Sequence, residues 1–183
     1  MINVNLTKYL DKLGKQVMNR AKAGLQKAGK QGNLENSINF SVNKTDDGYE
    51  VFWTMNYYGA FLDKGVSGAK VKRSFTNYQG QTLSSPGKGF TSVGPPIDII
   101  SKWIKSKGIK GHGVKKGRSK KTGQFVSGLA YLISRKIKQE GIPSIMFFQK
   151  PLGLAMKTFD TEVEVALARD LEATIKGTNI KFN

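Results

Sequence analysis

The chain runs to 183 residues with no cysteine, 38% hydrophobic residues, 21 glycines and a formal net charge of +17. Without cysteine, a disulfide framework and a thiolate metal site are both excluded. The length suits one domain, ~100–200 residues being usual, so a single domain over residues 1–183 is expected.

Leu6, Leu10, Leu13, Val17, Ala21, Leu25 and Ala28 recur at spacings of three and four, which predicts an amphipathic helix with one apolar stripe. Asn5 stands where its cap belongs, and Gly29 and Gly32 where it stops. Ile38, Phe40 and Val42 then alternate with polar residues, Thr45-Asp46-Asp47-Gly48 supplies a turn, and Tyr49, Val51, Trp53, Met55 and Tyr57 alternate again. That pattern predicts a β-hairpin, a surface for the helix to lie on. Residues 65–95 show little periodicity and are expected to form an extended arm, in which Phe75, Tyr78 and Phe90 could support a small extra hairpin.

Pro95-Pro96 opens a further helix, with Asp98 in its first turn, Ile97, Ile100, Trp103 and Ile104 on one face, and Gly108 at its end. Residues 108–123, "GIKGHGVKKGRSKKTG", form a basic glycine-rich loop. From about Val126 to Glu140 another helix aligns Leu129, Ile133 and Ile137, and Gly141 and Pro143 end it. Ile145-Met146-Phe147-Phe148 leads to Pro151 and a last long helix, whose stripe is Met156, Phe159, Val163, Leu167, Leu171 and Ile175. Together the elements predict an α+β fold: an antiparallel, hairpin-centred β-sheet packed by long N-terminal and C-terminal helices, with extended basic loops. Trp53 and Phe159 are expected to be largely buried in it.

No apolar stretch approaches the ~18 residues of a membrane span, and the first residues lack the charged start and apolar run of a signal peptide. A soluble protein made in a cytoplasm, with no membrane partner, is expected. Catalytic chemistry is not. The single histidine, His112, sits between glycines in the basic loop, without the packing that fixes a general base. Asp46-Asp47 reads as turn chemistry, and Asp160, Glu162 and Glu164 as the acidic first turns of the last helix, so no metal cluster is expected. Gly111-His112-Gly113 follows no strand, and no Gly-Lys-Ser/Thr closes a phosphate loop. No enzyme, catalytic residue, metal or cofactor is therefore expected.

Charge is the informative feature. Between Lys64 and Lys138 stand 17 Lys and Arg against one acid, Asp98, so this middle segment holds +16 of the +17. One-signed surface of that kind points to an acidic partner, nucleic acid or a negatively charged protein. Lys115, Lys116, Arg118, Lys120 and Lys121 could release counterions from a phosphate backbone, which makes a nucleic-acid-binding protein one reading. Against it, the aromatics belong to the hairpin and helices and do not interleave with these charges as base-stacking platforms require.

A second reading comes from the order of motifs. Tyr57-Tyr58-Gly59-Ala60-Phe61-Leu62-Asp63-Lys64-Gly65 follows the hairpin, Pro95-Pro96-Ile97 opens a helix with Trp103-Ile104, and Gly141-Ile142-Pro143 leads to Phe147-Phe148 and Pro151-Leu152. Over residues 30 to 160 this order resembles the tail-completion and neck proteins of tailed bacteriophages. Tyr58, Gly59, Phe61, Asp63 and Gly65 match the hallmark segment of that group, Pro96 and Trp103 its following helix, and Pro143, Phe147, Phe148 and Pro151 its aromatic-proline segment. The resemblance implies a virion structural protein, assembled in the host cytoplasm, that forms a homo-oligomeric, six-fold ring at the head-tail junction and joins the capsid connector to the tail. Its partners would be copies of itself, neighbouring connector and tail proteins, and packaged DNA without sequence preference. Two stretches depart from the simplest members: the arm after Gly65 and the basic loop after Gly108. Lys70, Lys72 and Arg73 in the first, and Lys115, Lys116, Arg118, Lys120 and Lys121 in the second, are the expected partner or DNA contacts.

Overall fold

A computed structural model describes residues 4–85, 95–109, 117–118, 125–126 and 128–177. The first half comprises helix α1 (Val4–Lys27), α2 (Asn33–Ser37), strands β1 (Asn39–Lys44) and β2 (Tyr49–Thr54), α3 (Gly59–Lys64), β3 (Val66–Ser67), β4 (Ser74–Thr76) and β5 (Thr82–Ser84). There follow α4 (Ile97–Ser106), β6 (Gly117–Arg118), β7 (Phe125–Val126), α5 (Gly128–Glu140), β8 (Gly141–Ile142), α6 (Gln149–Met156) and α7 (Phe159–Gly177). The fold is α+β with long helices towards both ends. Among the described residues the strands form two-stranded sheets only: β1–β2, β3–β8, β4–β5 and β6–β7. The chain builds two compact units interleaved in sequence, one from residues 1–59, 76–81 and 146–183, the other from residues 60–75 and 82–145.

In the first unit α1 buries the stripe read from its periodicity, Leu6, Leu10, Leu13, Val17, Ala21 and Leu25. It lies on the β1–β2 hairpin, whose antiparallel register sets Phe40 opposite Trp53 and Val42 opposite Val51. Helix and hairpin meet at Gly14. Its carbonyl accepts a hydrogen bond from Trp53 Nε1 at 3.2 Å, and a methyl group there would stand 2.3 Å from the Phe40 ring. Trp53 and Phe159 are half-buried rather than fully enclosed, for each packs on the rim of the Leu6–Val17 cluster and not at its centre.

The last helix departs from expectation twice. It is broken at Lys157–Thr158 into α6 and α7, with Pro151 already inside α6. Its buried residues are Ala166 and Asp170, not Leu167 and Leu171. The reason is geometric. At 3.6 residues per turn, steps of four overshoot a full turn by about 40° each, so the series Val163, Leu167, Leu171, Ile175 spirals away from the core. The series Phe159, Val163, Ala166, Asp170 alternates steps of four and three and stays on it.

Asp170 explains how α1 begins. Its carboxylate accepts hydrogen bonds from the Asn5 backbone N–H at 2.9 Å, the Leu6 N–H at 3.0 Å and the Asn5 side-chain amide at 2.9 Å. Asn5 is thus a first-turn donor and not the cap. Orphan N–H groups at a helix start, and the positive end of its dipole, favour an anion there. Burial works against ionisation of Asp170, but the donors from Asn5, Leu6 and Val4 outweigh it and hold the carboxyl below its ordinary value. A carboxyl depressed in the folded state stabilises above its unfolded pKa, and that contribution is lost as pH falls through the folded value. Asp170→Asn should therefore melt below wild type at neutral pH, with the gap closing in acid. A gap that stays constant from about pH 7 to pH 2 would refute this linkage.

In the second unit α4 and α5 pack through Ile100, Ile104 and Ala130, flanked by Ile97, Leu129, Ile133 and Ile137. Trp103, placed by sequence on the same face, is 44% exposed. It lies about 100° further round the helix than Ile104, on the outward side with Ile99. The last carbonyls of α5 find partners on one loop: Ala69 N–H donates to Lys138 O at 2.9 Å and Lys70 N–H to Gln139 O at 2.8 Å. Arg73 Nε donates to Glu140 O at 2.9 Å. Within the stretch 65–95, residues 65–85 are thus folded, with Val66, Ser67, Phe75 and Ser85 buried.

Candidate assembly site

The sequence motifs meet where β3 crosses β8. Gly65 has φ 71° and Gly141 φ 73°, in the left-handed region that glycine enters without steric cost. A methyl on Gly65 would lie 2.7 Å from Ser144 N, and one on Gly141 would lie 2.0 Å from Val66 O. Val66 pairs with Ile142 and Ser67 with Gly141. Ile145 N–H donates to Leu62 O at 3.1 Å, and Ser144 Oγ donates to Asp63 O. The Asp63 side chain is buried, whereas Pro143 is exposed. The structure therefore brings Asp63 and Gly65 of the hallmark segment against the 141–145 strand and turn.

The remaining motif residues divide between anchors and surface. Phe147 is 2% exposed and lies against Gly24, where a methyl would stand 3.3 Å from the Phe147 Cβ. Phe148 meets Trp53 edge-on at 6.0 Å, Pro151 is buried in the first turn of α6, and Pro96 precedes α4. Gly59 is packed under Met55 and Leu34. Tyr58 and Phe61 instead face outward, Tyr58 edge-to-face with Tyr57 at 6.1 Å.

Of the basic residues, Lys70 and Lys72 are exposed on the loop that caps α5, and Arg73 is half-buried and bonded to Glu140. Arg118 lies in β6, opposite Phe125. Lys115, Lys116, Lys120 and Lys121 lie outside the described residues, as do His112 and Phe90.

Two surfaces escaped sequence reasoning. One is an open, mostly apolar groove of ≈ 510 Å³ between the 76–80 turn and α6. The turn is set by Asn77, whose Oδ1 accepts from Gln79 N at 3.0 Å and Gln81 N at 2.9 Å, the side-chain mimicry typical of asparagine turns. Tyr78 N–H donates to Gln149 Oε1 at 2.9 Å, and the absence of a side chain at Gly153 lets the Tyr78 carbonyl approach α6. At the groove's end Met146 has φ 47°, a strained value for a residue with a side chain. The other surface is the outer stripe of α7, where Leu167, Leu171 and Ile175 are 37%, 50% and 66% exposed. The helical register, checked in steps of three as well as four, was the signal that would have found it.

Among the described residues no helix is long and apolar enough to cross a membrane. No family model, curated protein or solved structure matches the chain.

Proposed function

We propose that this chain is a structural subunit of a tailed-bacteriophage virion, a neck or tail-completion protein that forms a ring at the head-tail junction and acts without catalysis. The observation that carries the reading is the pairing of the two motif segments, residues 59–67 and 141–145, through glycines that tolerate no side chain. A segment pattern resembling that family is thus also a structural joint, with aromatic residues Tyr58 and Phe61 left on the outside. The one-signed middle segment then serves assembly. Exposed charges typically contribute only ~0–1 kcal/mol each to folding, so a run of them is better spent on acidic neighbours or on DNA near the channel.

The test uses the parent phage. Deleting the gene should leave filled heads and separate tails, and wild-type protein supplied in trans should join them. A variant with Lys115, Lys116, Lys120 and Lys121 all changed to Glu should fold yet leave the particles unjoined. Normal joining by that variant would overturn the assembly role of these lysines, and normal particles from the deletion would overturn the neck reading altogether. Binding to random DNA should fall steeply with salt. Discrimination between DNA sequences that persists at high salt would instead favour a nucleic-acid-binding protein.

A further inference from the structure

We infer that copies of this chain join head to tail, the outer stripe of α7 from one copy seating in the groove between the 76–80 turn and α6 of the next. This deepens the ring reading above and rests on it only for the closure of successive contacts into a ring.

The groove has the character of a helix receptor. Tyr78, Met146, Leu154 and Met156 supply apolar lining, and Lys150 and Lys157 stand among them. Methionine thioethers adapt to whatever side chain enters, while the walls are fixed by the Asn77 and Gln149 hydrogen bonds. A volume of ≈ 510 Å³ falls within the ~300–1,000 Å³ of ordinary binding clefts. Strain of the kind held at Met146 accumulates at functional surfaces, where the surrounding structure sustains it.

The stripe on α7 has the complementary character. Leu167, Leu171 and Ile175 repeat every fourth residue, the spacing by which an amphipathic helix anchors in a groove. Asp160 and Glu164 lie on the same side of the helix, and α7 as a whole carries five of the chain's 13 acids. In a protein of net charge +17 that helix is an acidic island, opposite in charge to Lys150 and Lys157 of the groove. The groove cannot receive the α7 of its own chain. Only Lys157 and Thr158 separate α6 from α7, and Ala166 and Asp170 hold α7 on α1. The occupant is therefore a second copy. Because groove and helix are different surfaces, the contact is heterologous, and repetition gives a ring or a filament instead of a closed dimer.

Two exposed substitutions test it on the full-length protein. Leu171→Asp removes the helix anchor and Leu154→Asp spoils the groove, and both should keep the wild-type circular dichroism and melting. Loss of a central anchor should weaken association by about 30-fold or more. Sedimentation should show wild type forming species larger than a dimer, each variant alone a monomer, and their equimolar mixture a heterodimer that grows no further. The mixture dimerises because the intact groove of Leu171→Asp meets the intact helix of Leu154→Asp, leaving only two spoiled surfaces. Variants that assemble like wild type would overturn the docking while leaving a ring built through other surfaces intact. A mixture that stays monomeric, or a wild type that is monomeric throughout, would also overturn it. The particle-joining assay decides the virion reading separately.

Discussion

Gly141→Ala is expected to destabilise the protein by about 2–5 kcal/mol in denaturant titration, from two additive causes. A side chain in the left-handed region costs roughly 1–2 kcal/mol, and forcing atoms into a filled site roughly 1–3 kcal/mol more. Here the added methyl would sit 2.0 Å from Val66 O and 2.6 Å from Gly68 N. Both are backbone atoms, so no rotamer change relieves the clash. Either the β3–β8 pairing opens or the end of α5 shifts, and with it the carbonyls that Ala69 and Lys70 satisfy. A loss below about 1 kcal/mol would mean that this crossing yields at little cost, within the range of an ordinary surface substitution.

Phe147→Ala should cost about 3–5 kcal/mol, the usual penalty for emptying an aromatic site in a packed core. Phe147 is almost wholly enclosed, and its Cβ and backbone pack closely on Gly24 of α1. Phe61→Ala, an equally aromatic member of the other motif, should by contrast change stability by no more than about 1 kcal/mol because it is exposed. The pair separates motif residues that build the fold from those that stand on its surface. Equal losses in both variants would contradict that division.

The contrast also shows what the sequence could convey. Local, periodic signals were legible: α1 with its stripe, the hairpin turned at Asp46-Asp47-Gly48, and the helices opened by Pro95-Pro96 and ended by Gly141 all stand where the residues put them. Tertiary features were not. Leu167 and Leu171 look like core residues in a list of apolar positions, and only the rotation of the register against Ala166 and Asp170 turns them outward. Asp170 itself reads as an ordinary helix acid, since its partners at Asn5 and Leu6 lie 165 and 164 residues away. Arg73 counts as one more positive charge in a basic stretch until the loop 68–73 is seen to satisfy the end of α5. The groove beside α6 is assembled from residues 76–80 and 146–157, each unremarkable alone.

The link from Asp170 to the start of α1 has a consequence for biosynthesis. One compact unit is made from the first 59 residues together with residues 76–81 and 146 onward, so the ribosome delivers its opening portion long before its closing one. At ~5–20 residues per second, synthesis of residues 60–145 occupies about 4–17 s, during which the apolar stripe of α1 has α2 and the β1–β2 hairpin, but neither α6 nor α7, to cover it. The other unit, encoded between those portions, is complete first. Helix α1 is thus made before the other helices of its unit and finished with the last of them, its amide donors finding their carboxylate only once α7 has been synthesised.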